Sequence, residues 1–139
     1  VKKGIIDDIG SQTDIFKTFL SLANIKSDFN SIDSFDLSET IKDGRPSLRK
    51  FIPYFVGSEL RAFRYKDHKI HFVTQGAYNM PPPREVHKNP LLYNLSNDIG
   101  EIRDISDVDK KTLELLIMQS DLFKKDLVIK KSIVDSQFQ

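Results

Sequence analysis

A helical hydrophobic pattern occupies the first part of the chain, in the sequence TDIFKTFLSLANI. Its apolar residues recur three or four positions apart, which is the spacing of one face of an α-helix. The stripe consists of Ile15, Phe19, Leu22 and Ala23, with Phe16 and Leu20 widening it. Thr13 or Asp14 can cap the first turn, and Asn24 tolerates the left-handed conformation common just past a helix end. The pattern predicts an amphipathic helix over about residues 14–23.

A polar segment follows this helix and separates two parts of the chain. Residues 26–47 are rich in Ser, Asp and Lys and end in KDGRPS, a combination that interrupts regular structure. We therefore expect a surface connection here, with one part of the chain over residues 1–45 and another over residues 46–139.

A strand pattern begins at Leu48. The sequences LRKFIPYFVG, SELRAFRYKD and KIHFVTQG are dense in aromatic and branched residues, and compact turns separate them. Pro53 cannot donate a hydrogen bond to a sheet ladder, which favours an edge or a bulge for the first strand. After the proline-rich AYNMPPPREVHKN, the sequence PLLYNL predicts a fourth strand. Both faces of the predicted strands mix apolar and charged residues, so the alternation does not identify the buried face.

The longest helical pattern runs from Ser106 to about Lys125. Ser106 and Asp109 form a capping arrangement at its start. Its predicted apolar stripe consists of Val108, Leu115, Met118 and Leu122, flanked by Leu116 and Phe123. The tail after Leu127 is either a last short strand or a frayed end. The predicted fold class is α+β: a small antiparallel sheet of about four strands packed with a C-terminal helix.

Composition narrows the function classes. The chain has 139 residues, a net charge of +1 and no cysteine. The near-neutral balance gives no electrostatic case for nucleic acid or anionic membrane, and no apolar run reaches the roughly 20 residues of a membrane span. Disulfides, thiolate metal sites and cysteine nucleophiles are excluded. The sequence also has no glycine-rich phosphate loop, zinc pattern or G-x-S-x-G elbow.

A few polar residues are candidates for chemistry. Asp7 and Asp8 are either hard-cation ligands or part of a polar turn before the first helix. His68 and His71 lie three apart in an extended region, so their side chains point to opposite sheet faces and cannot share one metal ion without a bulge. His87 lies in the predicted proline-rich loop, where its side chain is either solvated or presented for binding. These residues alone define a small α+β domain with no self-sufficient active site.

Three segments resemble type I sulfatases, the arylsulfatase family, in the family's own order. KNPLLYNLSNDIGE resembles the strand that runs into DPGE, with Ile99 at the position where the family usually has proline. TDIFKTFLSLANI is similar to the helix that reads D-x-x-P-T-L-x-x-L-A-G, and ELRAFRYKDHKIHFVTQG is similar to a hairpin of the arylsulfatase A-like branch. Together the resemblance spans about residues 4–105.

The resemblance implies a C-terminal portion of a sulfatase without its catalytic residues. It implies that residues 1–45 are the tail end of the catalytic domain with its linker, the first helix belonging to the missing catalytic α/β domain, and that residues 46–139 are the C-terminal subdomain. Sulfatases use a formylglycine made from Cys or Ser in a C/S-x-P/A-S-R motif, a calcium ion held by Asp and Asn, and Lys and His on the sulfate. In the family those residues precede the segments seen here, and this chain has no such motif. Asp7 and Asp8 resemble the metal-binding DD-x-G, but the later helix motif follows them at once, so we expect no metal site there.

The resemblance also assigns partners and one site residue. His87 matches the histidine before the corresponding strand, which in the family approaches the substrate pocket. The implied partners are an N-terminal sulfatase domain and a sulfate-ester substrate, and the implied compartment of the parent is periplasmic, extracellular or lysosomal. The isolated piece is expected to self-associate or to be partly disordered over residues 1–45. The alternative is a stand-alone binding module with a sulfatase C-terminal fold, which an in-frame formylglycine motif upstream of Val1 would exclude.

Overall fold

The computed structural model describes residues 4–25 and 32–127 of the chain. The elements in chain order are α1 (Asp14–Leu22), α2 (Ser38–Asp43), β1 (Phe51–Val56), β2 (Glu59–Tyr65), β3 (His68–Thr74), a short 3-10 helix (Ala77–Asn79), β4 (Glu85–Asn94) and α3 (Lys110–Asp126). Contacts divide the chain into two units, residues 1–52 and residues 53–139. None of the helices in the described ranges is long and apolar enough to span a bilayer.

In the first unit, α1 forms where the sequence predicts it, but its buried face is polar. Asp14 and Thr18 are the buried residues of this helix, whereas Phe19 is 66% exposed. The Thr13 side chain makes no capping hydrogen bond. Asn24 has a φ of 56°, so the predicted left-handed stop is confirmed. The apolar stripe of α1 therefore points away from the polar contacts that hold the helix in its unit.

A buried ion pair holds α1 to the segment before β1. The carboxylate oxygens of Asp14 accept hydrogen bonds from Nε and Nη2 of Arg49, each at 2.6 Å. The backbone N–H groups of Phe35 and Ser11 also donate to this carboxylate, each at 2.8 Å. Burial alone raises the pKa of Asp14, but the hydrogen bonds from Arg49, Phe35 and Ser11 outweigh it and hold the pKa below its usual value.

The short helix α2 lies in the segment that the sequence pattern treats as a connection. The backbone N–H of Ser38 donates to Asp36 Oδ1 at 2.8 Å, and the N–H of Leu37 donates to Thr18 Oγ1 at 3.0 Å. Gly44 ends the helix with a φ of 70°. The six residues of α2 carry too little apolar periodicity to reveal a helix, although Gly44 is a typical stop signal.

The second unit contains the predicted meander. The sheet order is β1-β2-β3-β4, and the fold class of α+β with a four-stranded antiparallel sheet and a C-terminal helix is confirmed. β1 contains Pro53 and lies at the edge, as predicted. Gly57 and Lys66 adopt positive φ values of 59° and 53° in the two tight turns between strands.

The register of the strands defines two sheet faces. Phe63 pairs with Ile70, and Ile70 pairs with Leu92, so all three side chains share one face and are at most 1% exposed. The helix α3 contacts β2 and β3, and Leu116 from that helix is 1% exposed. Ala62, which pairs with His71, belongs to the opposite face and is also buried.

α3 begins later than predicted and buries a different stripe. Its cap is Asp109, whose side chain accepts a hydrogen bond from the N–H of Thr112 at 3.1 Å, so the prediction of a start at Ser106 is wrong. The buried residues of this helix are Leu116 and Ser120. The predicted stripe is exposed by 40–79%, at Leu115, Leu122, Met118 and Val108. The tail after Leu127, predicted as a strand or a frayed end, lies outside the described residues.

Candidate functional site

His87 lies in an irregular part of β4 and not in the preceding loop. His71 pairs with Leu91, and the next pair of partners along the sheet joins Val73 to Val86. Between these pairs β3 advances two residues and β4 five, so β4 carries three extra residues. An irregularity of this kind re-aims side chains and is common next to active sites. The direction of the His87 side chain therefore does not follow from the regular alternation of side chains along a strand.

Both nitrogens of the His87 ring face polar groups. Nε2 lies 2.8 Å from Thr74 Oγ1, which is hydrogen-bonding distance. Nδ1 lies 3.7 Å from a carboxylate oxygen of Glu85. The His87 side chain is only 11% exposed, whereas the Glu85 side chain is 71% exposed. The imidazole is therefore held against the sheet and is not a freely solvated loop group.

The order hydroxyl, imidazole, carboxylate resembles that of a hydrolase triad, but the geometry does not match one. In a triad the orienting carboxylate is buried and hydrogen-bonded to the imidazole. Here the Glu85 oxygen lies 3.7 Å from Nδ1, beyond hydrogen-bond range, and its side chain is mostly in solvent. Thr74 therefore holds the ring of His87 and is not a nucleophile activated by it.

The connection from β3 to β4 is closed tightly beside this pair. The N–H of Gly76 donates to the carbonyl oxygen of Pro82 at 2.8 Å. A Cβ atom at Gly76 would collide with the carbonyl oxygens of Met80 and Pro81. Glycine is therefore required for the close approach of the two backbone segments. Beyond this closure, Tyr78 is 97% exposed.

A second polar cluster lies on the sheet face opposite the main core. Glu101 accepts a hydrogen bond from Lys69 Nζ at 2.6 Å, and its other oxygen lies 2.6 Å from His71 Nε2. The backbone of Glu101 has a φ of 53°, which a non-glycine residue seldom adopts. The ring of His71 contacts Tyr93 edge-on, with centroids 5.6 Å apart. The segment NDIGE thus ties the loop after β4 back to β3.

Burial shifts the pKa values of His71 and Tyr93 in this cluster. Burial and the nearby Lys69 lower the pKa of His71 below 6.5, although Glu101 acts in the opposite direction. Burial also raises the pKa of Tyr93 above 10.0, with Asp104 and Glu101 adding to the effect. The cluster therefore favours a neutral imidazole and a neutral phenol. Its internal partners suit a structural tie better than proton transfer to a substrate.

The described residues do not fit the cofactors that sulfatases use. Within residues 4–25 and 32–127, no group of three or more His, Asp or Glu side chains is placed to hold a metal ion. Asp8 instead accepts a hydrogen bond from the N–H of Ser47 at 3.3 Å. The chain also lacks the C/S-x-P/A-S-R motif in which a formylglycine is made. No chemical step through calcium or formylglycine is therefore assigned to these residues.

Two polar contacts at the candidate site do not follow from the sequence pattern. Thr74 holds His87, and Glu101 joins Lys69 to His71. The position of Glu101 in the sulfatase-like segment was a signal for the second contact. The first depends on the three extra residues of β4, and strand spacing in the sequence does not reveal them.

Solved sulfatase structures share this fold. The PsFucS1 sulfatase from Pseudoalteromonas sp. superimposes with a TM-score of 0.64 at 20% identity, over 81% of this chain and 25% of that protein. A Bacteroides thetaiotaomicron protein, described in connection with the metabolism of multiple glycosaminoglycans, superimposes with a TM-score of 0.61 at 20% identity, over 81% and 24%. At this identity the likeness shows the fold alone.

The sequence gives the family. Residues 47–137 match the family described as the C-terminal region of aryl-sulfatase. Because the match covers more than half of the chain, the chain belongs to the arylsulfatase-like sulfatases, as part of their C-terminal region.

Two curated relatives agree with this assignment. Arylsulfatase A of Homo sapiens is 28% identical over a match of 116 aligned positions, and the match covers 73% of this chain and 23% of that protein. Arylsulfatase A of Bos taurus is 29% identical over a match of 142 aligned positions, and the match covers 89% of this chain and 28% of that protein. The chain thus spans about a quarter of the length of these relatives.

Proposed function

We propose that this chain completes the fold of an arylsulfatase-like sulfuric ester hydrolase and forms one edge of its substrate pocket. In this proposal the catalytic residues, the formylglycine and the calcium ion belong to a preceding sulfatase domain. The observation that carries the proposal is the placement of His87 in the irregular part of β4, within the region that matches the sulfatase family.

His87 suits a pocket edge because its ring is held and carries polar atoms. The contact with Thr74 at 2.8 Å fixes one side of the imidazole. A ring oriented in advance loses less entropy when it meets a ligand than a freely rotating one. An imidazole can hydrogen-bond the leaving group or the periphery of a bound sulfate ester. In this proposal His87 orients the ester and takes no covalent part in its hydrolysis.

The outward face of α1 supports a preceding domain as the partner. Ile15, Phe19 and Leu22 are exposed by 51%, 66% and 41%. Their helix already satisfies its polar face through the Asp14–Arg49 pair. An apolar stripe of this kind on a surface helix is typical of an interface. We propose that the catalytic domain of the intact enzyme covers it.

Replacing His87 in the intact enzyme tests the pocket edge. His87→Ala removes one hydrogen-bonding group from the substrate, and a typical hydrogen bond contributes about 1 kcal/mol. We expect kcat/KM for an aryl sulfate to fall about five- to tenfold. The measurement is steady-state hydrolysis by purified full-length enzyme, with folding checked by its melting temperature.

His68→Ala is the matched control, because His68 lies on β3 and has no place in the proposed pocket. Equal kcat/KM values for the two variants and the parent enzyme would remove His87 from the pocket. A second assay concerns the chain alone, for which we expect no turnover of an aryl sulfate. Robust hydrolysis by the 139-residue chain would contradict the placement of the catalytic residues in a preceding domain.

A further inference from the structure

The two nitrogens of the His87 ring lie in different surroundings, and the difference bears on where the proton sits. Nε2 is 2.8 Å from the Thr74 hydroxyl oxygen, and Nδ1 is 3.7 Å from the nearest oxygen of Glu85. A neutral imidazole carries its proton on one nitrogen and a lone pair on the other. The partners of the two nitrogens therefore select one tautomer over the other.

The Thr74 hydroxyl favours a lone pair on Nε2. A hydroxyl donates one hydrogen bond, and His87 Nε2 is the one side-chain hydrogen-bond partner that the structure records for Thr74 Oγ1 among the described residues. The contact is part-buried, so solvent reaches this hydroxyl only in part. A donor in such a place is costly to leave unpaired, so its hydrogen is directed to Nε2.

The Glu85 carboxylate favours a proton on Nδ1. The oxygen at 3.7 Å is too distant for a hydrogen bond but close enough for attraction between its charge and an N–H dipole. The attraction is weakened by solvent because the Glu85 side chain is 71% exposed. It nevertheless acts in the same direction as the Thr74 hydroxyl.

We infer that Thr74 is the positioning residue for His87, and that it holds the neutral ring as the Nδ1–H tautomer with Nε2 accepting from the threonine hydroxyl. The Nδ1–H group then becomes the polar atom that His87 presents at the pocket edge. This last consequence rests on the proposed function, whereas the tautomer itself does not.

The tautomer defines the kind of substrate group that His87 recognises. An Nδ1–H donor pairs with an oxygen acceptor, such as an ester or sulfate oxygen, and not with the hydrogen of a substrate hydroxyl. Sulfate esters are rich in such acceptor oxygens. Thr74 thus links the fixed geometry of β3 to the choice of the substrate atom that His87 contacts.

Imidazole ¹⁵N spectroscopy tests the inference directly on the chain labelled at its three histidines. At about pH 8, where imidazoles are neutral, two-bond ¹H–¹⁵N correlations distinguish the Nδ1–H from the Nε2–H tautomer. His87→Asn identifies the His87 signals as those it removes. We expect the parent chain to show the Nδ1–H pattern at His87.

Two substitutions separate the hydroxyl from the shape of Thr74. Thr74→Val keeps the branched shape and removes the donor, and we expect the Nδ1–H pattern to be lost in favour of a tautomer mixture or Nε2–H. Thr74→Ser keeps the donor and is expected to restore the parent pattern. Unchanged signals of Ile70 and Leu92 show that each variant keeps the core of its unit.

An Nε2–H pattern in the parent chain would overturn the inference, without need of any variant. An Nδ1–H pattern that persists in a folded Thr74→Val chain would also overturn it, because another group would then set the tautomer. Neither result depends on kinetics. A failed His87→Ala kinetic test with an intact Nδ1–H pattern therefore refutes only the pocket edge.

Discussion

Asp14 and Arg49 show how a polar contact organises the first unit. The two side chains are 1% and 5% exposed, and the carboxylate accepts two hydrogen bonds from the guanidinium. A buried pair of this kind adds little net stability relative to apolar residues, but breaking it leaves an unpaired charge in the interior. Arg49 also lies over the ring of Phe35, 4.6 Å from its centroid. The pair therefore fixes which face of α1 turns inward.

Removing one partner of this pair should strongly destabilise the first unit. For Asp14→Ala we expect a loss of about 3–5 kcal/mol in the free energy of unfolding, because the Arg49 charge remains buried without its partner. Glu39→Ala is the control, since it breaks an ion pair with Arg45 whose side chains are 65% and 64% exposed. That loss should stay below about 1 kcal/mol. Urea unfolding followed at the NMR signals of α1 measures both, and similar losses would contradict the proposed role.

At the scale of elements, the sequence predicts which helices and strands exist, and in what order, better than it predicts which face of each element is buried. The α1 helix, the four strands and the C-terminal helix follow from periodicity and turn residues, because these signals are local. The resemblance to sulfatases further narrows the order of the elements. α2 was missed because six residues carry too little periodicity.

The apolar faces of the two long helices show what local patterns omit. The sequence predicts a stripe on α3 through Met118 and Leu122 with Leu116 only at its flank, but Leu116 and Ser120 are the buried residues of that helix. A hydrophobic pattern reports that a helix has an apolar side, and only tertiary packing decides which residues meet the sheet. The candidate site shows the same limit, since His87 was predicted from the sequence whereas its contact with Thr74 depends on the irregular register of β4.

Burial of His71 on the sheet face that it shares with Lys69 should make stability depend on pH. The pKa of His71 is lowered in the folded chain by burial and Lys69, against the effect of Glu101; His87 adds a smaller lowering. Folding therefore opposes protonation of His71. The stability that neutral His71 contributes is complete above its unfolded pKa of about 6.5. This contribution is lost as the pH falls below that value towards the lower pKa of the folded chain.

We expect His71→Gln to flatten part of the decline in unfolding free energy between about pH 7 and pH 5. The comparison requires urea unfolding curves of the parent and the variant across that range. His68→Gln on the same strand serves as the control and should retain the decline that depends on His71. If the parent and His71→Gln curves run parallel at all pH values, the predicted linkage is absent.

At the scale of the whole molecule, large apolar side chains remain exposed on two helices. Ile15, Phe19 and Leu22 on α1 and Met118 and Leu122 on α3 are each at least 41% exposed. The chain spans about a quarter of the length of its curated relatives. Both facts are explained if the proposed preceding domain covers one of these faces. The polar anchoring of α1 singles out its face, because the Asp14–Arg49 pair fixes the orientation of that helix within its unit.

The isolated chain should therefore associate with itself through α1. Fully burying a Phe or Leu side chain contributes about 1.5–3 kcal/mol, so a double substitution Phe19→Lys with Leu22→Lys should raise the dissociation constant at least about tenfold. Sedimentation velocity over a wide range of chain concentration measures this shift. Met118→Lys with Leu122→Lys on α3 is the matched control and should leave the association unchanged. The prediction is contradicted if the parent chain sediments as a monomer at every concentration and the amides of α1 are protected from hydrogen exchange. The helix would then need no partner, and its exposed face would no longer support a covering domain.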